Sequence, residues 1–138
     1  MSRKIAREVA MKSAFARLFG GENTYADILD KSEIEEQPSE DDLAYSAEVL
    51  VGIQEHAGEI DELIRELAVN WSIERMPRVD LSILRVAIYE MLYREDIPES
   101  VSINEAVELA KRFGGERSSA YINGMLGTLS KRRAKGEA

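Results

Sequence analysis

The chain has 138 residues, enough for one compact domain with a real core and too few for a separate catalytic module beside it. Hydrophobic residues make up 44% of it and charged residues 32%, a balance that excludes a disordered charged tail, and no apolar run reaches the 18 residues a membrane span needs. Cysteine is absent and His56 is the only histidine. Disulfides, thiolate zinc sites, thiol nucleophiles and multi-histidine metal centres are thereby excluded, and no cofactor is expected. Charged residues interrupt the first helical stretch where a signal-peptide core would have to be continuous, so a cytoplasmic protein is expected.

The net charge of −8 is segregated along the chain. Residues 1–19 hold five basic residues and one acidic, residues 20–66 hold two and fifteen, and residues 67–138 hold eleven and ten. A basic amino-terminal helix and a basic tail (Lys131, Arg132, Arg133, Lys135) thus flank an acidic middle that reads as a solubilising face.

Arg3 to Phe19 reads as a helix with Ile5, Val9 and Ala16 on one stripe and Arg3, Lys4 and Arg7 on the opposite, uncommitted side, closed by Gly20 and Gly21. A short helix is expected over Tyr25 to Ser32, then an acidic connection to Pro38. Ser39 and Asp42 spell a capping box for a third helix presenting Leu43, Ala47, Leu50, Val51 and Gln54, widened by Val49 and Ile53 and ended or bent at Gly58. Ile60, Leu63, Ile64 and Leu67 mark the buried face of a fourth helix, which stops near Asn70. After the Pro77 turn, Asp80 reads as an N-cap with a Val79–Leu84 staple. The helix it starts carries Ile83, Leu84, Ala87, Ile88, Met91 and Leu92 and is the expected central helix.

Pro98 separates that helix from a sixth, whose start reads as a capping box of Ser102 and Glu105 and whose end reads as a left-handed stop at Gly114-Gly115. Ser118 is the expected cap of the last helix, with Tyr121, Ile122, Met125, Leu126 and Leu129 as its buried stripe. Gly124 and Gly127 inside it suggest close approach of another helix. The chain therefore reads as all-α, with about seven short helices and no internal repeat.

An enzyme would have to work through carboxylates, and Glu90, Glu105, Glu108 and Asp80 are the candidates beside apolar positions. None forms a compelling pair, and no phosphate loop, dinucleotide fingerprint or serine elbow is present. His56 reads as a helix-end residue. Trp71, Ile73 and Met76 read equally as a partner patch or as the lid of the core. Nucleic-acid binding would draw on Arg3, Lys4, Arg7 and Lys12, with Arg117 as a further cation and Tyr121 as a stacking ring.

Longer motifs add a resemblance. The run from Val79 to Leu92 (VDLSILRVAIYEML), then Asp96-Ile97-Pro98, then Val101 to Gly114 (VSINEAVELAKRFG), and Tyr121 to Leu126 (YINGML) resemble the transcription antitermination factor NusB family. The first helix is similar to that family's arginine-rich amino terminus, and the acidic segment from about 20 to 60 matches only loosely. The resemblance implies two packed helical bundles, about 1–70 and about 77–133, in a single RNA-binding domain without enzymatic activity. It implies binding of boxA single-stranded RNA together with a small-subunit ribosomal protein acting as NusE, within the RNA polymerase antitermination complex on ribosomal RNA operons. Carried over by position, it nominates Arg3, Lys4, Arg7 and Tyr121 for RNA and Glu74, Arg75 and Asp80 for the NusE partner. The chain departs from the family pattern at Ile5, where an arginine can stand, at Ala120, often lysine, and at Arg117, where an acidic residue can occur. Asn104 and Asn123 are expected to tie helix starts together by hydrogen bonds. The alternative is a protein-interaction module without specific RNA binding, including a homodimer that covers Arg3, Arg7 and Tyr121.

Overall fold

Among residues 3–18, 38–68 and 72–136, which the computed structural model describes, the chain forms six α-helices and no strand. They are α1 (Lys4–Arg17), α2 (Glu40–Glu55), α3 (Ala57–Leu67), α4 (Arg78–Tyr93), α5 (Glu99–Phe113) and α6 (Ser118–Ala134). The all-helical expectation holds. The helix expected over Tyr25 to Ser32, the Gly20-Gly21 stop and Trp71 lie outside the described residues.

The densest apolar stretch becomes the axis of the fold. Eleven of the sixteen residues of α4 are buried, and α4 packs against each of the other five helices. Ile83, Leu84, Ala87, Ile88 and Met91 are all buried there, as their spacing predicts. The stripes of α3 (Ile60, Ile64, Leu67) and α6 (Ile122, Met125, Leu126, Leu129) also enter the core. Helices α5 and α6 form an antiparallel hairpin: Glu99 at the start of α5 accepts hydrogen bonds from Ser130 Oγ (2.8 Å) and Arg133 Nε (2.6 Å) near the end of α6.

The buried face of α2 is rotated from the expected one. Tyr45, Ser46, Val49, Leu50 and Ile53 are buried, whereas Val51 is 53% exposed and Gln54 is exposed. The apolar pattern omitted Tyr45, whose hydroxyl reaches a buried carboxylate and so makes a phenol a core residue. Gly52 lies on this face against α4. A Cβ on it would meet Tyr89 Cε1 at 2.0 Å, so only glycine allows that approach.

Helix starts divide expectation from outcome. The Ser39–Asp42 capping box forms, with Asp42 N donating to Ser39 Oγ (3.1 Å) and Ser39 N donating to Asp42 Oδ2 (2.9 Å). Asp80, Ser102 and Ser118 are not caps. Pro77 and Pro98 occupy the cap positions of α4 and α5, and Arg117 that of α6. Each proline carries the φ that leads into a helix, so both helices begin two or more residues earlier than the capping pattern suggests and draw Asp80 and Ser102 inside. Val79 therefore lies within α4 and forms no staple.

Gly114 does end α5, but with φ −88° and an extended backbone rather than a left-handed one. Its requirement is steric: a Cβ would lie 2.6 Å from Ser118 Cβ and 2.7 Å from the Ala110 carbonyl oxygen. Gly124 and Gly127 face open space, so no helix approaches them closely. The break between α2 and α3 falls at His56, and Gly58 is already helical.

Candidate nucleic-acid interface

Helix α1 reaches the core through Ala6, Val9, Ala10 and Met11, and that docking decides which of its cations face outward. Lys4 is exposed. The Arg3 guanidinium packs on the Tyr45 ring, 4.0 Å from its centroid, and the Arg94 guanidinium lies 5.0 Å from the same centroid.

Arg7 goes inward, contrary to its expected place on the uncommitted side. Its side chain is 6% exposed, and its Nε donates to Glu90 Oε1 and Oε2 at 3.0 and 2.9 Å. Glu90 on α4 is 1% exposed. It also accepts from the Tyr45 hydroxyl on α2 and from Ser102 Oγ on α5 (2.9 Å). One carboxylate thus receives donors from three other helices, the condition under which a buried charge is tolerated. Burial, followed by the charge of Glu90, holds the Tyr45 phenol protonated well above its ordinary range.

Helices α1 and α5 run side by side in the same direction. Lys4 Nζ lies 3.5 Å from Glu105 Oε2, Glu8 accepts from Arg112 Nη1 at 2.7 Å, and Lys12 Nζ lies 4.8 Å from the Phe113 ring centroid. A cavity of about 80 Å³ opens in this seam, lined by Lys4, Arg7, Glu105, Glu108, Leu109 and Arg112. Arg112 also packs on Phe113, 4.7 Å from the centroid. The side chains of Lys111 and Arg112 are about half exposed. Basic residues of α5 therefore extend the face begun by α1, a contribution absent from the sequence analysis, where Lys111 and Arg112 figure only within the VSINEAVELAKRFG motif. Their placement in the last turn of α5, beside α1, was the available signal.

Beyond Gly114 the chain turns into α6, where Arg117 is exposed and Tyr121 is half-buried against the core. Ser118 Oγ accepts from Gly115 N (2.9 Å) and donates to Asp80 Oδ2 (3.0 Å). Asp80 is fully buried, so, contrary to its expected place on a partner-facing surface, it supports the junction of α4 and α6 from beneath and presents no carboxylate to solvent. Burial raises its pKa, against the lowering effect of Ser118. Tyr121 is raised as well, by burial first and then by the charge of Asp80.

Glu74 and Arg75 are exposed in the turn before α4, while Ile73 and Met76 beside them belong to the core. Asn104 and Asn123 are both exposed and do not serve as buried ties between helix starts. His56 stacks on Tyr93, with ring centroids 4.0 Å apart. No group of three or more histidine, cysteine, aspartate or glutamate residues suited to a metal gathers among the described residues, and no helix there is long and apolar enough to cross a membrane.

The family model described as "NusB family" matches residues 4–131. A transcription antitermination protein NusB of Clostridium botulinum (strain Kyoto / Type A2) is 42% identical over 142 residues, covering 94% of this chain and 99% of that protein. The structure of T. maritima NusB aligns with a TM-score of 0.82 at 33% identity, covering 100% of this chain and 99% of the other. A structure of antitermination factors NusB and NusE in complex with double-stranded RNA shares the fold, with a TM-score of 0.80 at 23% identity over 94% of this chain and 96% of the matched one. Because the match runs from the first residue of α1 to Lys131 in α6, across every helix of the basic face, this chain belongs to the NusB family.

Proposed function

We propose that the chain is a transcription antitermination factor that binds boxA single-stranded RNA together with the ribosomal protein acting as NusE and supports polymerase elongation through ribosomal RNA operons. The observation that carries this reading is family membership spanning both α1 and α6. A protein of the same fold is described with NusE and double-stranded RNA. In this reading Arg3, Lys4, Arg112 and Arg117 attract phosphates, Tyr121 offers a ring for an unpaired base, and Arg7 acts from beneath by fixing α1.

Few cations and one ring give modest affinity once ordering costs are met, and the chain as a whole is acidic. A basic partner would supply the missing positive surface, with Glu74 and Arg75 on the turn before α4 facing it. The protein acts by binding rather than catalysis, in the cytoplasm, with residues of about 1–70 and about 77–133 as its two helical halves. The test is fluorescence anisotropy of the heterodimer on labelled boxA and scrambled RNA across a salt series. Tighter binding to boxA at physiological ionic strength is expected, and equal binding to both RNAs overturns the reading.

A further inference from the structure

Two carboxylates in the seam between α1 and α5, Glu8 on α1 and Glu105 on α5, hold their cations differently. Glu8 is buried and accepts hydrogen bonds from Lys12 Nζ at 3.0 Å and from Arg112 Nη1 at 2.7 Å. Glu105 stands at the rim, its side chain 16% exposed, 3.5 Å from Lys4 Nζ and 3.7 Å from Arg7 Nη1. Both separations are longer than a hydrogen bond. Glu105 has no capping task, because α5 begins at Glu99. Arg7 is anchored through its Nε by both oxygens of Glu90, and Glu105 adds only the longer ion pair to its Nη1. Its carboxylate therefore faces Arg7 and Lys4 together, and of these two cations only Lys4, its side chain 68% exposed, reaches solvent.

We propose that Glu105 limits the affinity of the basic face for RNA of any sequence, its carboxylate competing with RNA phosphate for Lys4. This inference rests on the RNA-binding reading above. A phosphate that approaches Lys4 must displace Glu105 or sit beside a second negative charge, and either costs part of the attraction the lysine offers. The loss falls on the sequence-independent component of binding, since phosphates carry no base identity. Discrimination is then left to stacking and base edges. The Lys4 contact is cheap to open, since a loose ion pair with one partner in solvent contributes little to folding. Glu105→Gln also removes the longer ion pair to buried Arg7, but both Glu90 oxygens still hold Arg7 Nε, so the protein should stay folded.

The test uses the full chain with its ribosomal-protein partner and measures anisotropy on boxA and scrambled single-stranded RNA over a salt series. Glu105→Gln should tighten binding to both RNAs by about two- to five-fold. It should steepen the salt slope by at most about 0.7, one added phosphate contact on a single strand. In a Lys4→Ala background the same substitution should change nothing. Glu105→Asp keeps the charge on a side chain one methylene shorter, drawing it back from Lys4 and Arg7 alike, and it should shift affinity in the same direction by less, which keeps the proposal testable if the glutamine variant folds poorly. Unchanged or weaker binding by a folded variant overturns the proposal, as does a gain that persists without Lys4. Failure of the unsubstituted heterodimer to bind either RNA is a separate result that overturns the RNA-binding reading itself.

Discussion

Arg7 Nε on the first helix lies 2.9 Å from Glu90 Oε2 on the central one, and both side chains are shut away from solvent. The pair converts a basic residue of the amino terminus from a ligand-facing cation into an anchor. It fixes the rotation of α1 and so leaves Lys4 outside. Breaking a buried pair by removing one partner strands the other charge, so Glu90→Gln or Arg7→Ala should cost about 3–5 kcal/mol. Urea melts of the free protein read this directly. Arg7→Ala should reduce stability far more than it reduces the salt slope of RNA binding in conditions where the protein stays folded.

Two helical glycines should respond in opposite directions to alanine. Gly52→Ala forces a methyl into the Tyr89 ring and should destabilise by about 1–3 kcal/mol. Gly124→Ala meets open space and should stabilise by about 0.5–1 kcal/mol through helix propensity. Thermal melts of the two variants against the unsubstituted chain give both signs.

Asp80 carries a pH signature. Its folded pKa is raised above the unfolded one, chiefly by burial, so the folded state holds the proton more tightly than the unfolded state does. Its contribution to stability is then fully present below the unfolded carboxylate pKa of about 3.9 and is lost as pH rises through the folded value. Relative to Asp80→Asn, the unsubstituted protein should lose stability as pH is raised from about 4 through that value. Urea midpoints of both proteins over this range check the difference, and its growth toward low pH would contradict the assignment.

Tyr121 should separate stacking from charge. If the exposed part of its ring meets a base, Tyr121→Ala costs about 1–3 kcal/mol on boxA RNA while the salt slope is retained, and Tyr121→Phe is nearly silent. Arg117→Ala should instead weaken binding to boxA and scrambled RNA alike and lower the slope by at most about 0.7. Circular dichroism on each variant distinguishes lost binding from lost folding, because Tyr121 also packs on the core.

The partner surface is best probed at Glu74, which is exposed in the turn before α4. Glu74→Lys should weaken the heterodimer in calorimetry without altering the melting of the free protein. Asp80 is unsuitable for that purpose, since its buried carboxylate holds Ser118.

By itself the sequence determined helical content, the central place of α4, the buried stripes of α3 and α6, the capping box at Ser39 and the family. These follow from local periodicity and from motifs that survive without knowledge of neighbours. Only the tertiary structure decided the fates of individual polar residues. A serine followed three residues later by glutamate reads as a capping box wherever it occurs, but Ser102 sits inside α5 and donates to Glu90 across a helix interface. Arg7 reads as one cation among several, and it becomes internal because α2, α4 and α5 bring Tyr45, Glu90 and Ser102 to one point. Gly52 looks like an ordinary helix-weakening residue until the Tyr89 ring is set against it. Local pattern marks the helices and most of their apolar stripes, though not the rotation of α2 or the starts of α4 and α5; whether a charge is a ligand or an anchor depends on what other helices place within about 3 Å of it, and that pairing is absent from any single segment.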